Sequence, residues 1–274
     1  MTRQFGLAFL TVADLSPVEA IRVAAETGYS TVGLRLLPAA ADGEGPYPIL
    51  TDRAVLAEAR SALADTGMKV GDVEIVRLKP DTRVDAFLPF LECAQALGAA
   101  NILVAGDDTE HGRLTETFAA FAALAARYEL TADLEFMPWT GVRNAAEALA
   151  IVNAADQPNG GVLADALHWD RTGGDVDDLR RIPKERIHYF QLCDAPREYD
   201  PSDAGLIAIA RGGRLLPGEG GIDLASFVRA LPADVPVSVE VASGDLMKRL
   251  TPRERAERGL AAARRIVDHV ESNY

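Results

Sequence analysis

Eight short runs rich in Val, Ile and Leu recur along the chain, with longer helix-periodic segments between them. Such alternation calls for parallel strands, because a helical crossover returns the chain to the same end of the sheet before each new strand. The runs are "FGLAFLTV" near residue 5, "STVGLRLL" near residue 30, "KVGDVEIVRL" from Lys69 and "NILVAG" from Asn101, followed by "TADLEFM" from Thr131, "GGVLADA" from Gly160, "IHYFQLC" from Ile187 and "PVSVEVA" from Pro236. The clearest helix between them is "LTETFAAFAALAARY", which puts Leu114, Phe118, Phe121 and Leu124 on one face. A long helix rich in charge and alanine is expected near residues 252–272. Eight βα units in a chain of 274 residues predict a closed (β/α)8 TIM barrel, one domain over residues 1–274. A doubly wound open sheet would carry a glycine-rich turn after its first strand. Here that place reads "TVADLS", and no GxxxxGK[ST] motif occurs anywhere.

Charge narrows the range of partners. The formal net charge is -13, from 28 Lys+Arg against 41 Asp+Glu, and affinity for nucleic acid needs clustered basic side chains. Two cysteines, Cys93 and Cys193, are too few for a disulfide framework, so a reducing compartment, the cytoplasm, is expected. Asp14 interrupts the apolar start of the chain, and no window has the length of a bilayer span. Two long irregular stretches, "PAAADGEGPYPILTD" after strand two and "DAPREYDPSDAGLIAIARGGRLLPGEGGID" after strand seven, are expected to be functional loops.

Barrel chemistry gathers where the strands' C-terminal ends meet. Neighbouring residues on a strand face opposite ways. If Leu134 and Phe136 face the helices, Glu135 points into the barrel; the same count turns Asp165, Gln191 and Glu240 inward on strands six, seven and eight. Three carboxylates buried together would take up protons unless compensated. A divalent cation resolves this. Carboxylate and amide oxygens favour Mn²⁺ or Mg²⁺, with Co²⁺ or Zn²⁺ admissible. The alternative for each residue taken singly is a strand-end polar group held by a helix N-terminus or an arginine.

His168, three residues after Asp165, could orient a ligand, touch substrate or shuttle a proton. A hydrogen-bonded loop histidine beside Trp169 is its bland alternative. His188 shares outward parity with Phe190 and reads as structural; His111 and His269 read as surface residues. Arg197, Arg211 and Arg214 in the strand-seven loop could hold an anionic or hydroxyl-rich substrate. Arg35, at the end of strand two, reads better as a surface salt bridge. Cys193 reads as a small packing residue, and Asp194 as a brace for the loop or for Arg197.

Glu135, Asp165 with His168, the polar residue Gln191 and Glu240 together resemble the sugar phosphate isomerase/epimerase superfamily of xylose isomerase-like TIM barrels. Many members carry histidine in a His-x-x-Asp pattern at strand seven, where this chain reads Gln191-Leu-Cys-Asp194. The run "QLCDAP" followed by "ARGGRLLPGEGGIDL" is similar to the 3-dehydroshikimate dehydratase branch, in which glutamine serves as ligand ahead of an Arg-x-x-Arg-x-x-Pro-Gly-x-Gly loop. That resemblance implies Glu135, Asp165, Gln191 and Glu240 as metal ligands and His168 near the substrate, and it aligns Arg211 and Arg214 with the loop arginines. Ala210, Gly212 and Gly213 stand where the branch has a serine and histidines, which removes candidate substrate contacts.

The chemistry expected is proton abstraction beside a metal-polarised carbonyl, with Glu135, Glu240 and His168 as acid/base candidates. The leading reading is an isomerase or epimerase of a small polyhydroxylated carbonyl compound such as a sugar, sugar phosphate or cyclitol. A lyase dehydrating a cyclic keto-polyol is the alternative. A non-catalytic metabolite-binding barrel, or one needing a partner subunit, is a third reading. Endonuclease IV shares the barrel, but its histidine-rich zinc cluster is incompatible with 4 His in an acidic chain. The expected partner is thus a small molecule, with no nucleic acid and no membrane, and a homo-oligomer is compatible with the sequence.

Overall fold

The computed structural model describes residues 3–39 and 47–272. Eight strands, β1 (Phe5–Leu7), β2 (Thr31–Arg35), β3 (Lys69–Leu78), β4 (Asn101–Gly106), β5 (Ala132–Glu135), β6 (Gly160–Asp165), β7 (Phe190–Leu192) and β8 (Val237–Val239), form a closed barrel in chain order. Every pairing is parallel, and β1 closes on β8 with Gly6 opposite Ser238. All eight runs contribute a strand, although several strands are shorter than their apolar runs.

Both faces of these strands are buried, which explains why the runs read as nearly continuous apolar segments. Leu134, Val162, Ala164, Phe190, Leu192 and Val239 pack into the outer core beneath the helices. A smaller inner cluster of Ile75, Leu103, Ala105, Met137, Leu163 and Tyr189 fills the barrel itself. Each fully buried large side chain contributes about 1.5–3 kcal/mol relative to exposure. The helix Pro252–Glu271 begins with a capping box between Thr251 and Glu254 and has proline in its first turn, where a missing N–H costs nothing. It buries Ala256, Leu260, Ala263 and Val267. Among the described residues, no helix is long and apolar enough to cross a membrane.

Two local expectations change. The first apolar run leaves the sheet after Leu7, and Phe9–Val12 forms a 3-10 helix. Thr11 explains the turn: its hydroxyl donates to Val239 O at 2.8 Å and accepts from Val241 N at 2.8 Å, clasping the end of β8. The stretch after β7 is not irregular throughout. Residues Asp203–Gly212 are helical, started by the Ser202 hydroxyl accepting from Gly205 N. Of the stretch after β2, residues 40–46 lie outside the described residues.

Candidate active site

Glu135, Asp165, Gln191 and Glu240 are all buried at the C-terminal ends of neighbouring strands. A cavity of about 150 Å³ opens there, with Glu74, Glu135, His168, Arg211, Arg214 and Glu240 in its walls. Asp165 ends β6 and caps the next helix, Ala166–Arg171, so one side chain both finishes the strand and starts the turn. Its Oδ1 accepts from Leu167 N at 2.7 Å and His168 N at 3.1 Å. This cap fixes His168 over the pocket, where Nε2 lies 3.6 Å from Glu135 Oε1 and the Trp139 ring meets the imidazole edge-on at 5.0 Å. Glu135, Asp165 and His168 offer ligand atoms within 4.8 Å of one another, a group able to hold a divalent metal ion. Gln191 donates through Nε2 to Glu240 Oε1 at 2.9 Å. That bond orients the amide, leaving Gln191 Oε1 buried with no hydrogen-bond partner.

Arg214 enters this cluster from the loop after β7. Its Nη1 lies 2.6 Å from Asp165 Oδ2 and its Nη2 2.9 Å from Glu240 Oε2. Nε donates to the Ala210 carbonyl at 2.9 Å, and Nη1 also reaches Cys193 Sγ at 3.2 Å. The backbone is placed by Arg214 N donating to Ala242 O and by bridges joining Asp194 to Leu215 and Gly213 to Ser243. Sequence reasoning put Arg214 on a substrate-facing loop. In the structure it is buried and neutralises two of the four site residues, which is the compensation that clustered carboxylates require.

The electrostatics follow from this arrangement. Burial pushes Glu240 up to about 8; Arg214 opposes the shift, while Glu74 and Asp165 add to it. Glu135 is raised well above the usual carboxylate range by burial and by the charges of Asp165 and Glu240. Asp165 goes the other way: burial would raise it, but Arg214, His168 and its hydrogen bonds outweigh that and hold it low. His168 is lowered to about 4, chiefly by burial, so its ring is neutral near pH 7. Nδ1 of that ring is also buried without a partner.

Not every candidate converges. Arg197 is exposed and absent from the cavity wall. Asp194 does not brace it. Instead, the Asp194 carboxylate accepts four backbone N–H groups, from Ala195, Gly218, Gly220 and Ile222, and thereby shapes the loop. Arg211 is exposed at the cavity rim, with no ion pair to a described residue. Cys93 and Cys193 are free, buried thiols. His111 and His269 are exposed, as expected.

Two assignments are corrected. Arg35 is not a surface salt bridge: it is 6% exposed, stands 4.7 Å over the Phe9 ring and donates to Glu74 Oε2 at 3.0 Å. An arginine stem and fork bury readily when an aromatic face and a carboxylate are both available. His188 does not face the helices with Phe190, because it precedes β7 and reaches under it. Its Nδ1 meets Asp133 Oδ1 at 2.6 Å inside the lower barrel.

Glu74 is the residue that sequence reasoning missed. It lines the cavity from β3, is 2% exposed, and its Oε1 has no hydrogen-bond partner. Inward parity at Asp72 and Glu74 would have revealed it. The register shift between Val73 and Val76 then lets Ile75 line the same cavity, which simple alternation forbids.

A closed parallel barrel with clustered carboxylates at its C-terminal strand ends defines the general class. The chain belongs to the xylose isomerase-like TIM barrel family, whose model matches residues 21–266. A 3-dehydroshikimate dehydratase of Pseudomonas aeruginosa is 31% identical over 156 residues, covering 54% of this chain and 24% of that enzyme. The chain therefore matches about a quarter of the length of that relative. An inosose isomerase of Bacillus velezensis is 26% identical over 205 residues, covering 70% of this chain and 69% of that enzyme. Among solved structures, the IolI protein with a bound zinc atom superposes with a TM-score of 0.78 at 19% identity, covering 97% of this chain and 99% of that one. That likeness is one of fold.

Proposed function

We propose that the protein is a divalent-metal-dependent isomerase or epimerase of a small polyhydroxylated carbonyl compound. The observation that carries this reading is the buried, unpartnered Gln191 Oε1 beside the Glu135, Asp165 and His168 group. An orphaned amide oxygen among acids is costly unless a cation takes it. Glu135, Asp165, Gln191 and Glu240 would hold the ion, and the all-oxygen set favours Mn²⁺ or Mg²⁺. Once bound, such an ion supplies Lewis-acid polarisation of a substrate carbonyl.

The remaining chemistry falls to the chain's own groups. Glu240, raised by burial to about 8 without an ion, and Glu135, raised by burial and by the charges of Asp165 and Glu240, are the carboxyls placed to move a proton. One takes the proton beside the carbonyl, the electron pair moves onto the carbonyl oxygen, and a proton returned to the opposite face or to the neighbouring carbon gives an epimer or an isomer. His168, neutral and with a free Nδ1, is placed to hydrogen-bond a substrate hydroxyl or relay its proton. Glu74 Oε1, held in the facing wall by Arg35, can accept from another hydroxyl, and Arg211 at the rim suits an anionic substituent. Trp139 and Met137 provide apolar wall that limits water.

A second reading is a lyase that expels a β-hydroxyl from a cyclic keto-polyol. Glutamine at position 191 and the match to the Pseudomonas dehydratase favour it; Ala210, Gly212 and Gly213 weigh against dehydroshikimate itself. The experiment is chelation, reconstitution with Mn²⁺ or Mg²⁺ and metal analysis, followed by incubation with inosose, 3-dehydroshikimate and a ketose panel. An isobaric product supports the isomerase, and an enone or aromatic product absorbing in the ultraviolet supports the lyase. If no divalent ion binds and Glu240→Gln leaves turnover intact, the metal-dependent reading is wrong.

A further inference from the structure

The buried carboxylates of the described residues have identifiable partners, with one exception. Asp108 pairs with Arg113, Asp133 with His188, Glu74 with Arg35, and Asp165 and Glu240 with Arg214; Glu135 faces His168, and Asp194 takes four backbone N–H groups. Asp72 is 4% exposed and makes neither a side-chain hydrogen bond nor an ion pair with another described residue. Its carboxylate lines a separate cavity of about 210 Å³ at the N-terminal ends of the strands, opposite the candidate active site. Tyr189 and Ser238, 3% and 4% exposed, belong to the same cavity wall, and Tyr189 OH and Ser238 Oγ are buried with no hydrogen-bond partner. The Thr31 side chain is in the wall as well. Glycine at position 33 makes room, since a Cβ there would lie 3.0 Å from both Asp72 oxygens.

A buried carboxylate with no partner must take up a proton or a cation. Burial, and after it the neighbouring charges of Glu74, Glu240 and Asp133, push Asp72 up, with Arg35 opposing them. A proton would quench Asp72 but would satisfy neither hydroxyl and would leave the cavity unfilled. A cation answers all three.

We propose that this lower chamber is a monovalent cation site, with the Asp72 carboxylate and the Tyr189 and Ser238 hydroxyl oxygens as ligands. One carboxylate among neutral oxygens matches a single positive charge, whereas divalent ions draw on several carboxylates. The shared chemistry is that of a desolvated alkali cation, potassium or sodium. Lys69 stands exposed at the cavity mouth and is the competing positive charge.

The test uses the full chain with manganese held constant, so that the upper site is the same in every sample. Thermal unfolding is followed in potassium, sodium or choline chloride at equal ionic strength, and crystals are soaked in rubidium. The expected result is a saturable rise in midpoint of roughly 2–4 °C in one alkali salt over choline. Stabilisation by potassium with a rubidium anomalous peak beside Asp72 assigns potassium; stabilisation by sodium alone with no peak assigns sodium. Asp72→Asn should abolish the salt specificity. Ser238→Ala, a milder change, should raise the half-saturating salt concentration roughly tenfold. Equal midpoints in all three salts with no peak overturn the site and leave Asp72 protonated. If specificity appears only in Lys69→Met, the lysine occupies the chamber, and the proposal is equally wrong for the native chain. None of these readings depends on turnover, so the proposal fails or stands apart from the assignment of the upper pocket.

Discussion

Arg214 Nη1 lies 2.6 Å from Asp165 Oδ2 in a fully buried pair, and the same guanidinium reaches Glu240 Oε2 at 2.9 Å. The cationic fork holds one oxygen of each of two candidate ligands, while the Gln191 amide donates to the other oxygen of Glu240. Two side chains, Arg214 and Gln191, thus fix the carboxylates in place before any ligand arrives.

Removing that fork should expose the repulsion it offsets. Arg214→Met is expected to destabilise the chelated protein by about 3–5 kcal/mol, the usual cost of stripping one partner from a buried pair. Added Mn²⁺ should recover part of the loss. Denaturant unfolding with and without the ion gives both numbers, and a mutant as stable as the parent in chelator would contradict the assigned role.

Gln191→Ala removes a neutral oxygen without touching the outer core, to which the β7 neighbours Phe190 and Leu192 belong. Metal affinity by calorimetry should fall about 10–100-fold with little change in unfolding midpoint. Unchanged affinity would take Gln191 out of the ligand set.

Glu74→Gln keeps the shape of the carboxylate but weakens the grip of Arg35 and the acceptor facing the pocket. With a turned-over substrate in hand, kcat/KM should drop roughly 10-fold or more, with metal content unaffected. Equal kinetics would make the Glu74 and Arg35 pair purely structural.

The pair of His188 and Asp133 predicts a pH dependence of stability. Burial disfavours the charged ring, but the hydrogen bond and charge of Asp133 outweigh it, so the folded pKa lies above the ordinary histidine value of 6.5. The unfolded chain then binds fewer protons than the folded one between the two values, and stability falls as pH rises. The contribution is full below about 6.5 and lost above the raised folded value. Thermal midpoints across this window should decline more steeply in the parent than in His188→Gln; identical slopes would remove the pair from the account.

Gly220 tests the loop. A Cβ there would fall 2.3 Å from the Ala195 carbonyl oxygen and 2.3 Å from Asp194 Oδ1. Gly220→Ala should therefore cost about 1–3 kcal/mol and loosen Arg214. A fully stable, unaltered variant would show that the loop yields without cost.

Glu135, Asp165, Gln191 and Glu240 were legible because each sits at or just beyond the end of a strand whose flanking residues are apolar, so parity alone turned them inward. Arg214 was visible as a loop arginine, but its depth depends on pairings among Ala242, Asp194 and Leu215, which are distant in sequence. Arg35 looked superficial because an arginine's burial is decided by an aromatic face and a carboxylate on other elements, here Phe9 and Glu74. β3 hid Asp72 and Glu74 for another reason: although the two share inward parity, charges at Asp72, Glu74 and Arg77 interrupt its apolar run, and a register shift between Val73 and Val76 ends the simple alternation beyond them.

The Asp194 carboxylate gathers N–H groups from both ends of the segment between β7 and the helix Leu224–Ala230. The two ends of that segment are consequently gathered at one carboxylate, while Arg214 and the bridge of Gly213 with Ser243 tie its middle to the barrel. Within it, the exposed turn before Asp203 is the part least tied to the barrel, whereas Leu206, Ala210 and Arg214 are buried. Change in length or sequence is therefore absorbed most readily between Pro196 and Ser202, away from the buried arginine.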